Sequence, residues 1–417
     1  MVTTPHGQLV RRHAEQAIKD ALADTRVVLV NGARQSGKST LVRLPAKSDG
    51  TEWRDLDDAV TRQAALSDPS GFVDFPERMV IDEIQRAPEL LLAIKCQVDA
   101  DPRPGRYLLT ASSRLLALRG LPDTLPGRME TIELWPFAQG EIDGQPDCFI
   151  DAIFTHGPAL RHNSQVTRAD YAERLIRGGY PEAVTRRRQR FFDSYIGDLI
   201  NRDVMQLSEI ERTAELRALI RLLAARSGQL LVTQSLSRDL GLPGSTTARF
   251  LALLEEVFLV KRIPAWSRNI SSRAIRTPKI AFVDSGVAAN LLGTDARGLL
   301  RPGSAFGPLL EGFVLMELAR QTTWSETLVE LYHYRTKDQV EVDAILETRQ
   351  GQVVGIEVKA ASTVRPDDFK GLRHLAERVG PDFIAGLVLH TGTGTFSFGD
   401  RMLAVPVSAL WQARADG

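Results

Sequence analysis

Three runs of this sequence combine residue types and spacings able to do chemistry. Gly32-Ala33-Arg34-Gln35-Ser36-Gly37-Lys38-Ser39 satisfies G-x-x-x-x-G-K-[ST] without a gap. Its glycines let backbone N–H groups close around phosphate oxygens, Lys38 reaches the β/γ-phosphates, and the Ser39 hydroxyl completes a Mg²⁺ shell, with Thr40 next in line. Met79-Val80-Ile81 then leads into Asp82 and Glu83, the first suited to hold Mg²⁺ and the second to polarise an attacking water. Thr110 or Ser112, at the end of another apolar run, is a candidate sensor of the γ-phosphate. The third run is Val340 to Leu346 followed by Val354 to Lys359, which sets Asp343 against Glu357-x-Lys359. Asp343 and Glu357 are hard oxygen ligands for Mg²⁺ beside a scissile phosphate, and Lys359 can orient or deprotonate water.

These residues need particular elements to place them. Val27-Val28-Leu29-Val30, Met79-Val80-Ile81 and Tyr107-Leu108-Leu109 are short apolar runs bounded by polar residues, as expected for strands buried on both faces. Alternating with helical patterns, they predict a parallel α/β sheet with the phosphate loop between a strand and a helix. From about Glu141 to Leu231 the period turns helical, with Ala172, Leu175 and Ile176, then Ile196, Leu199 and Ile200, on single faces. Residues 231–263 read as helix, turn, helix and strand, with Thr233 or Ser235 capping the first helix, Gly241 to Gly244 as the break, Ser245 capping the second, and Phe258-Leu259-Val260 as the strand. That order suits a winged helix. After a turn at Arg301 to Ser304, a helix over Leu309 to Gln321 leads into strands Leu328–Tyr334, Gln339–Leu346 and Gln352–Ala360. A turn centred on Gln350 would bring Asp343 opposite Glu357.

Composition narrows the class. At 417 residues the chain holds roughly three domains of about 150 residues each. Lys and Arg number 52 and Asp and Glu 52, so the net charge of +0 gives no global attraction to nucleic acid or anionic membrane, and any such surface must be local. A hydrophobic share of 43% excludes a wholly disordered or low-complexity chain. Cys96 and Cys148 stand far apart, which excludes a disulfide framework and a thiolate metal site and points to a reducing compartment. With no long apolar segment, the expectation is a soluble cytosolic protein without a membrane partner.

Together the phosphate loop, Ile81-Asp82-Glu83-Ile84-Gln85, Leu125-Pro126-Gly127-Arg128, Leu134-Trp135-Pro136-Phe137, Gly178-Gly179-Tyr180-Pro181-Glu182 and Tyr195 to Asp203 resemble the prokaryotic AAA-type P-loop ATPases joined to a C-terminal domain of unknown function. The resemblance implies ATP and Mg²⁺ as cofactors, a homo-oligomer such as a ring, and Arg128 facing a nucleotide, that of a neighbouring subunit included, as an arginine finger does. Pro126 stands where that family usually has a small residue. The D…ExK run resembles the PD-(D/E)XK nuclease fold, and Glu311, in Leu309 to Val314, matches the acid that its first helix often supplies.

A basic middle adds a candidate DNA interface. Arg186-Arg187-Arg188-Gln189-Arg190 is one cluster, and Val257 to Val283 carries Lys261, Arg262, Arg268, Arg273, Arg276 and Lys279, without an acid and with Trp266 available to stack on a base. Thr246, Thr247 and Arg249 would enter a groove on the second helix. Val283-Asp284-Ser285-Gly286 lacks the leading Gly and any His base of a serine-protease motif. The expected architecture is α/β: a P-loop ATPase domain (1–140), a helical lid (141–230), a winged-helix segment (231–283) and a PD-(D/E)XK-like α/β domain (284–417). The expected function is ATP hydrolysis coupled to a DNA-interacting, nuclease-like domain. The alternative is a non-cleaving nucleotide-gated regulator or protein-interaction switch.

Overall fold

The computed structural model describes residues 2–3, 9–43, 50–113, 125–185, 190–200, 213–269 and 277–415. The chain divides into two units, Met1–Phe137 with Glu256–Phe258, and Ala138–Glu255 with Leu259–Gly417.

In the first unit a short antiparallel pair, β1 (Val2–Thr3) and β2 (Leu9–Val10), precedes the main sheet. Five parallel strands follow: β3 (Val27–Asn31), β4 (Glu52–Asp55), β5 (Met79–Asp82), β6 (Tyr107–Ala111) and β7 (Met129–Glu133), in the order β4-β5-β6-β3-β7. Strand alternation divides the apolar residues between two cores. Val27, Leu29, Met79, Ile81, Tyr107 and Leu109 face one core, while Val28, Val30, Val80 and Leu108 face the other. An uninterrupted apolar run therefore makes a strand here because both faces are covered, and each fully buried Val or Leu contributes about 1.5–3 kcal/mol.

In the second unit no strand occurs between residues 141 and 229 among the described residues, whose regular elements there are helical. Ala172, Leu175 and Ile176 are buried on helix Arg168–Arg177, and Ile196, Leu199 and Ile200 are buried as their spacing predicts. Helices Thr233–Leu240 and Gly244–Glu256 are followed by the antiparallel strands β8 (Val260–Ile263) and β9 (Lys279–Phe282). The expected caps are corrected: Thr233 is already helical after Val232, and the second helix starts at Gly244, ahead of Ser245. The expected strand at Phe258 starts only at Val260, because Phe258 adopts a left-handed backbone (φ 57°) that ends the preceding helix.

Helix Phe306–Gln321 then runs through the middle of the unit, buried over most of its length. A six-stranded sheet follows, β10 (Val329–Arg335), β11 (Glu341–Thr348), β12 (Val353–Lys359), β13 (Phe383–His390), β14 (Phe396–Ser397) and β15 (Met402–Pro406), in the order β10-β11-β12-β13-β15-β14. The first three strands are antiparallel, and β12 pairs in parallel with β13 across helix Lys370–Val379. Polar bonds tie the helical part to this half: Glu317 accepts from the Gln139 N–H (3.0 Å) and from Arg320 (2.7 Å), and the Gln321 amide donates to Leu410 O (2.6 Å). Glu317 is fully buried, so these partners offset its desolvation. Apart from Glu256–Phe258, the segments expected as lid, winged helix and C-terminal domain fall within this one unit. Among the described residues no helix is long and apolar enough to cross a membrane.

Candidate functional site

The phosphate loop leaves β3 at Asn31, at the C-terminal edge of the parallel sheet. A Cβ at Gly32 would lie 2.0 Å from Leu134 O, so only glycine lets the chain pass there. Gln35 (φ 60°) and Gly37 (φ 95°) take left-handed backbones that turn the loop back on itself. Lys38 is buried, with its ammonium donating to the Gly32 and Ala33 carbonyls at 3.0 Å each. Ser36 is fully buried, and its hydroxyl has no hydrogen-bond partner among the described residues. From outside the loop, Arg12 donates to Ser36 O (2.8 Å) and Trp135 O (2.7 Å) and lies over the Phe137 ring.

The acids at the end of β5 meet this loop. Ser39 donates to Asp82 Oδ1 (3.1 Å), and the Thr110 hydroxyl donates to the same oxygen. Burial pushes the Asp82 carboxyl above its usual range, against the pull of those two hydroxyls. Glu83 holds a left-handed backbone (φ 58°), a costly conformation for a residue with a side chain, secured by its N–H donating to Thr110 Oγ1 (2.9 Å). Ser112 donates to Glu83 Oε1 (2.6 Å) and Oε2 (2.7 Å), and the Gln85 amide donates to Oε2. Burial alone would raise the Glu83 carboxyl, but the Lys38 charge and these hydrogen bonds outweigh it and hold it below the usual range. Ser39, Asp82, Glu83, Thr110 and Ser112 therefore form one bonded cluster on the loop. These residues fit Mg·ATP: the orphaned Ser36 hydroxyl and the Lys38 ammonium lie on the loop itself, and Ser39 and Asp82 offer oxygen ligands.

Arg128 is corrected for its own subunit. It precedes β7, whose first residue, Met129, pairs with Val27 at the start of β3, while the phosphate loop begins at the other end of that strand. That separation is roughly 15 Å at about 3.3 Å per residue. Its guanidinium is paired with Asp99.

In the second unit the strands pair in the register that a turn centred on Gln350 would give. Ala344 stands opposite Ile356 and Glu347 opposite Val353, so the ladder centres on Gln350 and its next step brings Asp343 beside Glu357. The Val358 N–H donates to Asp343 Oδ2 (2.9 Å), and Lys359 pairs with Glu357 Oε1 (2.9 Å). Glu311 joins them from the central helix. At the centre of this acidic group is a residue the sequence reading sent elsewhere. Lys279, 1% exposed on β9, puts its ammonium 2.6 Å from Glu311 Oε1, 2.9 Å from Glu341 Oε1 and 2.8 Å from Asp343 Oδ1. Burial and the Asp343 charge push Glu311 up to about 8 and Glu357 up to about 7, while the surrounding carboxylates hold Lys279 firmly protonated.

Where the sequence leads one to expect a divalent ion on Asp343 and Glu357, each acid faces an ammonium, Lys279 at 2.8 Å from Asp343 and Lys359 at 2.9 Å from Glu357, and among the described residues no group of three or more His, Cys, Asp or Glu is arranged to hold a metal ion. The DNA-contact expectations for Lys279 and Trp266 are corrected too, because both are buried, and Thr247 is buried against Ser237. Lys261, Arg262, Arg268 and Arg249 remain at least partly accessible, with Arg262 paired to Glu255. Residues 186–189, 201–203, 273 and 276 of the expected basic and helical motifs lie outside the described residues. Asp284 caps helix Ser285–Leu291 and accepts from Gly179 N (2.6 Å), which accounts for the Asp-Ser-Gly run. Arg12 and Glu341 had no role in the sequence reading. Local pattern offers no signal for Arg12, and Glu341 carried only a weak one through its alternation with Asp343.

Residues 24–143 match the AAA domain family, 168–298 a domain of unknown function (DUF8612) and 306–410 a domain of unknown function (DUF4143). Over 413 residues the chain is 31% identical to the uncharacterized proteins Rv2008c of Mycobacterium tuberculosis and Mb2031c of Mycobacterium bovis, covering 96% of this chain and 84% of theirs. Among solved structures, the Walker-type ATPase PABY2304 of Pyrococcus abyssi aligns with a TM-score of 0.42 and 16% identity over 70% of this chain and 98% of its own. A point variant of RuvB from Thermotoga maritima aligns with a TM-score of 0.27 and 17% identity over 60% and 86%. At such scores neither structure decides the fold; the AAA-domain match and the phosphate-loop sheet do. With a P-loop AAA ATPase domain followed by two domains of unknown function, the chain belongs to the same family as the two mycobacterial proteins.

Proposed function

We propose that this protein hydrolyses ATP and couples the cycle to its C-terminal half. The observation that carries this reading is the bonded cluster joining Ser39 to Asp82 and Ser112 to Glu83. Mg²⁺ bound with ATP would offset the charge of the phosphates, and Ser39 and Asp82 are the residues that would hold it. Lys38 would turn from the Gly32 and Ala33 carbonyls to the β/γ-phosphates, and Glu83 would accept a proton from, or orient, the attacking water. Arg128 would act only in an oligomer, by leaving Asp99 for a neighbour's nucleotide. Lys38→Ala should abolish nucleotide binding, and Glu83→Gln should keep binding and stop turnover. Normal hydrolysis by both variants would end the assignment.

For the C-terminal half the reading is a PD-(D/E)XK-like domain that contacts DNA together with the winged-helix-like helices and the β8–β9 pair. What supports it is the order of one helix, three antiparallel strands, a second helix and a parallel strand, with Glu311, Asp343, Glu357 and Lys359 brought together. The second reading, a non-cleaving nucleotide-gated regulator, is favoured by one observation: Lys279 stands among the acids that would otherwise take a metal. Incubation with linear, circular and single-stranded DNA plus Mg²⁺ or Mn²⁺ separates the two. Cleavage lost in Asp343→Ala identifies a nuclease, and intact ATP hydrolysis without cleavage identifies a regulator.

A further inference from the structure

We infer that the carboxylate cluster of the C-terminal half is a cation site whose cation is part of the chain: the Lys279 ammonium stands in for a divalent metal and keeps one out. The inference rests on the non-cleaving reading of this half and adds the device that enforces it.

Four carboxylates (Glu311, Glu341, Asp343 and Glu357) gather here from one helix and two strands. Ligands for a hard divalent ion would have to aim oxygens at one point, and three of them do, at the nitrogen of Lys279. Glu311 and Asp343 accept charge-assisted hydrogen bonds from the ammonium at 2.6 Å and 2.8 Å, and Glu341 Oε1 completes the group as an ion-pair partner at 2.9 Å. The other Asp343 oxygen accepts from the Val358 N–H, and Glu357 Oε1 pairs with Lys359. Arg335 neutralises the second oxygen of Glu341 at 2.8 Å. Four acids thus meet three bases, Lys279, Arg335 and Lys359, within one local group. A divalent ion bound by the same oxygens would sit in contact with a buried ammonium that stays protonated.

The backbone of Lys279 is anchored on both sides. Lys279 is the first residue of β9; β8 pairs with it on one side, and an isolated bridge to Leu230 holds it on the other. The Gly228 N–H donates to Ile280 O (2.7 Å), and Ile280 N donates to Gln229 O (3.0 Å). Gly228 takes φ 83°, and a Cβ there would meet the Glu311 carboxyl carbon at 3.0 Å, so this turn closes directly against the acid. The main chain thus sets where the Lys279 side chain starts, and the two hydrogen bonds and the Glu341 ion pair hold its ammonium in the cluster.

The test is titration with Mn²⁺ alone, without nucleotide, of the full-length wild type, Asp343→Asn, Lys279→Met and Lys279→Met/Asp343→Asn, read by electron paramagnetic resonance. The wild type and Asp343→Asn should bind the same number of Mn²⁺ ions. Lys279→Met, which keeps the length of the side chain and removes its charge, should gain one ion per chain at least tenfold tighter than any ion bound by the wild type at this cluster, and the double variant should lose it. A wild-type ion that disappears in Asp343→Asn would overturn the inference, as would a folded, ATP-hydrolysing Lys279→Met that gains none. Should Lys279→Met fail to fold, Lys279→Gln with Mn²⁺ present during refolding replaces it: refolding rescued by Mn²⁺ supports the inference, and refolding indifferent to Mn²⁺ contradicts it. Mn²⁺ bound through Asp343 without DNA cleavage would remove the inference and leave the non-cleaving reading intact, whereas wild-type cleavage would remove both.

Discussion

The Ser112 hydroxyl lies 2.6 Å and 2.7 Å from the two carboxylate oxygens of Glu83, bridging the ends of adjacent parallel strands. It therefore sets the direction of the only acid in the cluster that is not committed to Ser39. Ser112→Ala should lower kcat about tenfold, equivalent to about 1.4 kcal/mol, while ATP affinity changes less than about twofold. Steady-state hydrolysis beside equilibrium nucleotide binding checks this, and an unchanged kcat would remove Ser112 from the mechanism.

Arg12 reaches the phosphate loop from a segment far outside it and holds the Ser36 and Trp135 carbonyls together. Removing a buried charged donor leaves both acceptors short of a partner, at a cost of about 2 kcal/mol. Arg12→Ala should lower the thermal midpoint of the ATPase unit and weaken ATP binding, whereas Arg12→Lys should restore only part of each. Calorimetry with and without ATP reads both quantities.

Lys261, Arg262 and Arg268 are accessible among the expected DNA contacts of the acid-free stretch. Replacing all three with Ala should weaken DNA retention and flatten its dependence on log salt by up to about 2.7, or about 0.9 for each phosphate no longer neutralised. Gel shifts across a salt series measure the slope, and identical slopes would place any DNA surface elsewhere.

His333 is buried, with Nε2 3.0 Å from Thr277 O and Nδ1 without a hydrogen-bond partner among the described residues. Burial first, then the Lys279 charge, pulls the ring down to about 4 from an ordinary 6.5. Between those values the unfolded chain binds more protons than the folded one, so stability is lost as pH falls through this window. About 2 kcal/mol should go between pH 7 and pH 5. Urea unfolding at both pH values should show this loss in the wild type and not in His333→Gln. Equal losses in both would assign the pH effect to other groups.

The sequence by itself determined whatever depends on short-range order. A phosphate loop is a contiguous run whose glycines and lysine act through local backbone geometry, so Gly32 to Ser39 and the acids ending β5 were legible residue by residue. Strands buried on both faces announce themselves as apolar runs; a turn centred on Gln350 made Asp343 opposite Glu357 one available register, and the strand pairing itself selected it. What a charged side chain does was decided only by the tertiary structure. Lys279 and Arg262 both read as basic residues in an acid-free stretch, yet one lies at 1% exposure among three carboxylates and the other is exposed beside Glu255. The carboxylates that claim Lys279 lie 32 to 64 positions further along the chain. No local pattern encodes such a meeting, because the energy that selects it arises from burying opposite charges together once the fold has brought them into contact.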